Sequence, residues 1–380
     1  MSQTKKPKPG ILLPPAVGYS FSILYNLVKR NKIPPRYYLR LLAVTLINII
    51  NLPFRAYERA FINPKYKRKS IDMEPVFILG HWRSGTTHLH NLMCQDPQMG
   101  YTTTYQSVFP DTLFNIIGRF IFKNFTRLLI PGQRKGDNVK LNPDLPQEEE
   151  FALGDKTPIC YYYYWMFPQK IIQYYDRFVR FRGIPKNELK SWQNDYKLLI
   201  TKSLKNTNRQ RFLSKNPTNT GRVKALLEIF PNAKFIHIHR NPIEVFLSMR
   251  NFFDKMLPPL QMQTITQEEL DANNFIIYKH IMKDYLEQKN FVPKGNLVEL
   301  SFDELEENPE EVLKDIYNKL NLPGFEAALP MFSKYLEKMG SYKKNKHFIT
   351  KEQLQKVEDE WGFAMDELGY DFPKNLEVID

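Results

Sequence analysis

Cysteine is scarce in this chain of 380 residues, which contains only Cys94 and Cys160. Two cysteines provide neither a disulfide framework nor the spacing of a metal site. Residues 1–10 are polar and basic, and no apolar segment of a secretory signal follows directly behind them. These absences favour a reducing cytoplasm. The chain also lacks internal repeats and low-complexity tracts.

No hydrophobic run is long enough to predict a membrane-spanning helix. The most apolar segment, residues 39–52, ends before Pro53 and would be roughly 21 Å long as a helix, against about 30 Å for the hydrocarbon core. Basic stretches at 29–40 and 65–69 flank it. We expect a helix buried against the main domain, and the alternative is a peripheral anchor at a membrane surface.

Acidic residues are outnumbered, since Lys and Arg total 54 and Asp and Glu total 41, which gives a net charge of +13. Such a balance favours anionic partners, which include nucleotides, acidic polymers, anionic lipid and nucleic acid. Hydrophobic residues make up 42% and charged residues 25%, so a folded globular protein is expected.

Strand and helix patterns alternate from residue 75 onward. This alternation predicts an α/β fold in three layers, with a central parallel sheet flanked by helices. We predict a basic, partly helical N-terminal extension at 1–74 and the main domain at 75–380. The predicted strands are 76–79, 211–214, 234–239 and 296–300, and the predicted helices are 86–94, 218–230, 243–253 and 309–320.

The strongest functional signal is the segment from Gly80 to Thr87, which reads Gly-His-Trp-Arg-Ser-Gly-Thr-Thr. Backbone N–H groups at the start of a helix can hold a phosphate group there. A nucleotide-hydrolysing P-loop has Lys after its second glycine, whereas this chain has Thr86, and the nearest cation is Arg83. The loop therefore fits a phosphate-like group without the usual lysine on the β- and γ-phosphates.

A second anion site is predicted where strand 234–239 ends. Arg240 comes directly after the strand, Asn241 can cap the next helix, Pro242 fits its first position and Ser248 lies two turns on. Ligands of open α/β sheets bind at the carboxyl ends of strands. An arginine fork and a hydroxyl group in this place suit a second phosphate.

Together the two motifs resemble the sulfotransferase family that uses 3′-phosphoadenosine-5′-phosphosulfate (PAPS). The resemblance extends through 213–217, 230–236 and 300–309, and covers most of residues 75–375. It is nearest to the bacterial and tyrosylprotein branches, because Arg83 stands where cytosolic enzymes have lysine. It implies a fold like that of P-loop NTPases, and sulfuryl transfer from PAPS requires no metal.

The resemblance also implies roles for matching residues. Arg83 would contact the 5′-phosphosulfate and its bridging oxygen, and Lys215 would steady the transferring sulfuryl group. Arg240 and Ser248 would bind the 3′-phosphate. Further nucleotide contacts would come from the loop residues Ser84, Gly85, Thr86 and Thr87, and from a basic C-terminal loop with Lys344 and Asn345.

The acceptor side departs from the family pattern. Phe302 stands where the family usually has tyrosine, and 102–105 lack the glutamate of the tyrosylprotein branch. The base candidates are Glu148 and Glu150, in a motif that resembles one facing the acceptor in bacterial sulfotransferase-like sequences, and also the histidines His81, His88 and His90. Three adjacent glutamates are otherwise typical of an exposed first helical turn. The tyrosine-rich run at 161–165 is expected to form a packed wall, and the histidines His81, His88 and His90 are expected to be mainly structural.

The sequence thus predicts a PAPS-dependent sulfotransferase that modifies a hydroxyl group of a carbohydrate, a lipid or another small molecule. One alternative is a P-loop kinase or hydrolase, which Thr86 and the lack of a clear Mg²⁺-binding Asp disfavour. The other is a non-enzymatic binder of membrane or nucleic acid, which leaves two anion motifs unexplained. We expect a cytoplasmic enzyme without a nucleic-acid partner, and peripheral membrane contact through 39–52 is the alternative to the burial of that helix.

Overall fold

A parallel β-sheet forms the centre of the protein. The computed structural model describes residues 14–130, 132, 141–339, 347–373 and 376–379. Its central strands are β1 (Val76–Leu79), β2 (Met99–Gly100), β3 (Arg211–Lys215), β4 (Lys234–His239) and β5 (Leu297–Ser301). They are all parallel, in the order β2–β3–β1–β4–β5. Two further strands, β6 (His347–Thr350) and β7 (Leu376–Ile379), form a separate parallel pair.

Helices surround the sheet. The first eight are α1 (Phe21–Arg30), α2 (Tyr38–Tyr57), α3 (Asn63–Lys67), α4 (Thr86–Met93), α5 (Thr104–Val108), α6 (Ile116–Leu129), α7 (Glu149–Lys156) and α8 (Ile171–Phe178). The others are α9 (Lys186–Thr207), α10 (Val223–Ile229), α11 (Pro242–Leu260), α12 (Gln267–Gln288), α13 (Phe302–Glu307), α14 (Pro309–Lys319), α15 (Phe325–Met339) and α16 (Lys351–Leu368).

Strand β1 shows why the sheet is covered on both faces. All four of its residues are fully buried and apolar, as expected for a central strand of a parallel sheet. Phe77 and Leu79 pack into one core cluster, with residues of α11 and α12. Val76 and Ile78 point to the other cluster, with residues of α4 and α14. The predicted three-layer α/β class is confirmed.

Most predicted elements agree with the structure to within one residue, but two helices differ. The helix predicted at 218–230 is divided into a 3₁₀ helix (Pro217–Gly221) and α10, because Arg222 between them adopts φ −123°. Helix α11 continues to Leu260, past the predicted end at 253, and contains Pro258 and Pro259 near its end.

The apolar helix predicted at 39–52 is longer than expected, since α2 spans Tyr38–Tyr57. The expected burial is found for only part of the helix: Val44 is fully buried in the core, whereas Leu39, Leu46 and Ile50 are all exposed. Within the described residues, one helical stretch, Pro35–Lys67, is long and apolar enough to cross a membrane by length and composition alone. Core helices and signal sequences pass that test too.

The segment before α2 packs into the main core. Tyr19 is fully buried and meets the ring of Tyr163 edge-on, with 5.5 Å between ring centroids. Ala16, Val17 and Ile23 belong to the same cluster as Phe77 of the central sheet. Elements within the predicted extension 1–74 therefore share a core with the α/β domain.

Candidate active site

The loop between β1 and α4 has the backbone of an anion cradle. Gly80 adopts φ 143°, Arg83 φ 72° and Gly85 φ 91°, so three of its six residues have positive φ. Positive φ is uncommon for a side chain such as that of Arg83 and marks a backbone held by its surroundings. The Gly80 N–H group donates to the Thr220 hydroxyl at 2.8 Å, and Ser84 N–H donates to the His81 carbonyl at 3.2 Å.

Both glycines of the loop are also required by close approach. A Cβ atom at Gly80 would lie 2.3 Å from the carbonyl oxygen of Ile238 in β4. A Cβ atom at Gly85 would lie 2.2 Å from the ring of Phe302. Gly85 is the N-cap of α4, so the N–H groups of Ser84 to Thr87 lie at the positive end of that helix. The predicted anion-binding position of this loop therefore has a matching backbone.

The two predicted anion motifs meet in the structure. Arg83 Nε donates a hydrogen bond to the Ser248 hydroxyl at 2.9 Å, which links the loop to α11. Arg240 follows β4, donates to Glu244 at 2.6 Å and lies over the Phe302 ring at 4.9 Å. Asn241 caps α11 through Ile243 N–H, as predicted. The predicted residues Lys344 and Asn345 lie outside the described residues.

Glu148 stands at the junction of α7 and β3. Its carboxylate accepts hydrogen bonds from the Lys215 ammonium, at the end of β3, and from the Tyr162 hydroxyl. Tyr162 in turn accepts a bond from Trp82 Nε1 at 3.1 Å. Burial raises the pKa of Tyr162 well above its ordinary value, so this hydroxyl remains a donor. The loop residue Trp82 thus positions the glutamate through Tyr162.

The three adjacent glutamates are not a solvated helical turn, because all of them are buried. Glu149 accepts bonds from Ser214, from Tyr196 at 2.7 Å and from Asn219 at 3.2 Å, and burial raises its pKa. Each carboxylate thus has partners of its own within the core.

Glu150 is the most enclosed of the three. Its carboxylate forms a two-pronged pair with Arg222, at 2.7 and 3.0 Å, and also accepts from Asn216 at 2.9 Å and from Tyr161 N–H at 2.8 Å. Both Glu150 and Arg222 are fully buried. This pair ties α7 to the segment that follows β3.

A pocket connects the anion loop with Glu148. Arg83, Thr86 and Thr87 line it together with Glu148 and Gln147. Most of its remaining wall is apolar and comes from segments far apart in the chain, including Val17, Trp82, Val108, Leu129, Ile130, Leu141, Phe151, Trp165, Phe252, Met256 and Leu260. Glu150 does not line this pocket. The pocket can therefore bring an apolar molecule against both Arg83 and Glu148.

The histidines near the loop are held neutral. Burial lowers the pKa of His81 to about 4, although its bond to the Trp82 carbonyl at 2.8 Å acts in the opposite direction. Burial and the nearby Lys215 charge lower the pKa of His90 to about 3. Burial also lowers the pKa of His88, whose ring meets Phe302 edge-on. These side chains shape the loop and α4.

Sequence reasoning missed three residues that support the site. Tyr162 belongs to the tyrosine run that we interpreted as a packed wall, yet its hydroxyl contacts Glu148. Thr220 fixes Gly80, and Ser214 anchors Glu149. Ser214 and Thr220 lie close in sequence to the Lys-Asn-Pro corner at 215–217, and this proximity could have identified them as site residues. Both cysteines are free and buried.

Comparisons with known proteins agree with this geometry. A family model described as the sulfotransferase family matches residues 75–327. The Mycobacterium tuberculosis and Mycobacterium bovis proteins named omega-hydroxy-beta-dihydromenaquinone-9 sulfotransferase Stf3 are each 29% identical over 357 residues, which is 93% of this chain and 91% of theirs.

Two solved structures share the fold. Sulfotransferase STF1 from Mycobacterium tuberculosis has a TM-score of 0.64 and 14% identity, over 90% of both chains. Sulfotransferase STF9 from Mycobacterium avium has a TM-score of 0.65 and 15% identity, over 95% of this chain and 98% of its own. The family match covers about two thirds of the chain and begins at the strand that leads into the anion loop. The chain therefore belongs to the sulfotransferase family.

Proposed function

We propose that this enzyme transfers the sulfuryl group of PAPS to the hydroxyl group of an apolar, lipid-like acceptor, with Glu148 as the general base. The observation that supports this most is the shared pocket, where Arg83 and the first residues of α4 face the same space as Glu148. Anion-binding groups and a carboxylate are the two components that sulfuryl transfer to an alcohol requires.

The donor side fits a nucleotide with two phosphate groups. The loop offers backbone N–H groups, the hydroxyl groups of Ser84, Thr86 and Thr87, and the Arg83 guanidinium. These donors match the oxygens of a 5′-phosphosulfate. Arg240, at the end of β4, is the proposed contact for the 3′-phosphate, with Ser248 beside Arg83. PAPS supplies the sulfuryl group on its 5′-phosphate.

The acceptor proton would pass to Glu148. This carboxylate lines the pocket and is held on one side by Lys215 and on the other by Tyr162. We propose that Lys215, which bonds to Glu148, also counters negative charge on the transferring group, as the family resemblance implies. Glu150 was an equal candidate from sequence, but we propose a structural role for it, because it does not line the pocket and its carboxylate bonds to Arg222 and Asn216.

An apolar acceptor follows from the wall of the pocket, where Phe151, Trp165, Phe252, Met256 and Leu260 face the interior. The name of the Stf3 proteins describes an acceptor with a hydroxyl at the end of a long apolar molecule. We infer that this chain acts on an acceptor of the same class. The enzyme would then work in the cytoplasm, in peripheral contact with a membrane through residues 39–52 and neighbouring surface.

A thermal-shift titration tests the donor. Adenosine 3′,5′-bisphosphate without Mg²⁺ should stabilise the protein, by about 2.7 kcal/mol at a concentration 100-fold above its dissociation constant. ATP with Mg²⁺ serves as the comparison, because a P-loop kinase would respond to it. Stabilisation by ATP with Mg²⁺ alone would contradict the proposal. Transfer of ³⁵S from labelled PAPS into a lipid extract would then test the acceptor class.

A further inference from the structure

Helix α2 buries several polar side chains beside Val44 and exposes a row of apolar side chains. Asn48 donates to the Ala16 carbonyl at 2.9 Å, and Arg55 donates to the Tyr19 carbonyl at 2.6 Å. Glu58, directly after the helix, accepts from Phe114 N–H at 2.9 Å and pairs with Lys202 at 2.7 Å. All three polar side chains are buried. A helix on the surface of a soluble protein normally has the reverse arrangement.

The exposed apolar side chains of α2 point away from the rest of the protein, within the residues that the structure describes. Leu39 is 78% exposed, and Leu46 and Ile50 are each more than half exposed. Monomeric soluble proteins rarely expose large contiguous apolar patches, and those that do use them for interactions. The polar contacts of Asn48 and Arg55 fix this orientation, so the exposure is built into the fold.

Helix α6 extends the same surface. It packs against α2 through Phe54 and Phe122, whose ring centroids lie 5.7 Å apart, and a Cβ atom at Gly118 would lie 3.0 Å from Phe54. On its outer side Ile116 is 86% exposed, Phe120 72% and Leu128 83%. We name the exposed apolar residues of these two helices the docking face, represented by Leu39, Leu46, Ile50, Ile116, Phe120 and Leu128.

Positive charges predominate around the docking face, where one exposed acid, Asp144, pairs with Lys123 of α6. Residues 35–69 contain eight Lys and Arg residues and one acid, Glu58, which is buried. Helix α6 contains three basic residues and no acid. Exposed cations beside an exposed apolar surface match the headgroups and acyl chains of an anionic bilayer.

The docking face also adjoins the active-site pocket. Thr126 and Leu129 of α6, and Ile130 directly after it, line the pocket, while their neighbour Leu128 points outward. One helix therefore forms both part of the pocket wall and part of the exposed surface. An acceptor in the bilayer would have a short route from the acyl chains to Glu148.

We propose that the docking face lies in the surface of an anionic lipid bilayer and that the acceptor enters the pocket from there. The route of the acceptor rests on the proposed function, whereas the docking itself does not. The helix lies on the membrane and does not span it, because insertion of α2 would separate Asn48, Arg55 and Glu58 from their buried partners. Helix α2 is itself about 30 Å long.

Vesicle flotation tests the proposal with the full-length protein. The probe is vesicles of phosphatidylcholine and phosphatidylglycerol in equal amounts, and the variant carries Leu39→Glu, Ile116→Glu and Phe120→Glu. We expect vesicle binding of this variant to fall by at least about tenfold, because three apolar side chains are replaced by carboxylates, which carry the same negative charge as the lipid headgroups. The matched control carries Ile276→Glu, Phe291→Glu and Met331→Glu, which are exposed apolar residues elsewhere, and should keep its binding.

Four outcomes would overturn the proposal. If the wild-type protein did not float with anionic vesicles, or if the docking-face variant floated as well as the control, the evidence for membrane binding through this face would be removed. If alkaline carbonate failed to release the wild-type protein, that result would indicate a spanning helix. If gel filtration showed that the docking face joins two copies of the chain, the face would be identified as a protein interface. Stabilisation by adenosine 3′,5′-bisphosphate is measured on both variants to show that they fold. If adenosine 3′,5′-bisphosphate failed to stabilise the wild-type protein too, the proposed function would be contradicted. The vesicle-binding result would still test the docking face.

Discussion

The donor side and the acceptor side of the pocket are formed by different kinds of chemical groups. The main part of the donor side is a short loop with three positive φ values, and it contacts Ile238 of β4, Thr220 after β3 and Phe302 after β5. The acceptor side is a wall of apolar side chains from α5, α6, α7 and α11. The first arrangement holds charge in a defined place, and the second excludes water around a molecule of variable shape.

Glu148 and Lys215 lie where the two sides meet. Lys215 ends β3, which belongs to the sheet, and Glu148 begins α7, which belongs to the acceptor side. The adjacent Glu150 uses the same helix start for a different purpose, since its bonds fasten α7 to Arg222. Glu148 and Glu150 can therefore be compared directly, since one is proposed to take part in the reaction and the other to stabilise the fold.

The largest effect is expected from exchanging these two carboxylates for amides. Glu148→Gln should lower kcat by about 10²–10⁴-fold, because it removes the proposed base, and it should also lower stability, because the buried Lys215 ammonium loses its partner. Glu150→Gln should lower the free energy of unfolding by about 3–5 kcal/mol, because it leaves the Arg222 charge buried without its partner. Sulfuryl transfer and urea unfolding of both variants measure this contrast.

The opposite pattern would identify the other glutamate as the base. If Glu150→Gln folded stably and lost activity while Glu148→Gln remained active, the pocket would be assigned to the wrong carboxylate. Glu149→Gln is a useful third variant, because its partners Ser214 and Tyr196 are neutral. Its loss of stability should be smaller than that of Glu150→Gln.

The second contrast lies within the donor side, between its two arginines. Arg83→Ala should lower kcat by about 10²–10³-fold, because the guanidinium faces the site where charge develops. Arg240→Ala should mainly weaken binding of adenosine 3′,5′-bisphosphate, because it lies at the proposed 3′-phosphate position. Calorimetric titration separates binding from turnover. Equal loss of nucleotide affinity in both variants, with kcat intact in Arg83→Ala, would contradict this division of roles.

The donor side could be predicted from sequence because it is local. Gly80, Gly85 and the strand before them occupy ten consecutive residues, and each has one physical reason for its place. The Arg240 corner is equally compact. What the sequence could not show is that Arg83 bonds to Ser248, because that contact joins residues 165 positions apart.

The acceptor side could be predicted only in part, because its contacts are between distant segments. The pairing of Glu150 with Arg222 and of Glu148 with Tyr162 depends on how α7 packs, which periodicity does not encode. The apolar run at 39–52 predicted a helix correctly, but only part of that helix is buried, since Val44 lies in the core and Leu39, Leu46 and Ile50 are exposed. Apolar composition does not say which side of a helix the fold covers, and here Asn48 and Arg55 determine it.

The smallest effect concerns the protonation of the buried donor side. His90 has a native pKa of about 3, below its ordinary 6.5, because burial and Lys215 oppose its charge. Between pH 6.5 and about pH 3 the unfolded chain binds a proton that the native protein excludes, so stability falls as the pH falls. The His90 ring forms a hydrogen bond with the backbone of Leu213. We expect His90→Asn to keep that bond while removing the side chain that can take up a proton. From pH 7 to pH 5 the wild-type protein should lose roughly 2 kcal/mol more than this variant in urea unfolding. Equal losses would mean that His90 is already charged in the native state and that the donor side admits more water than its buried loop indicates.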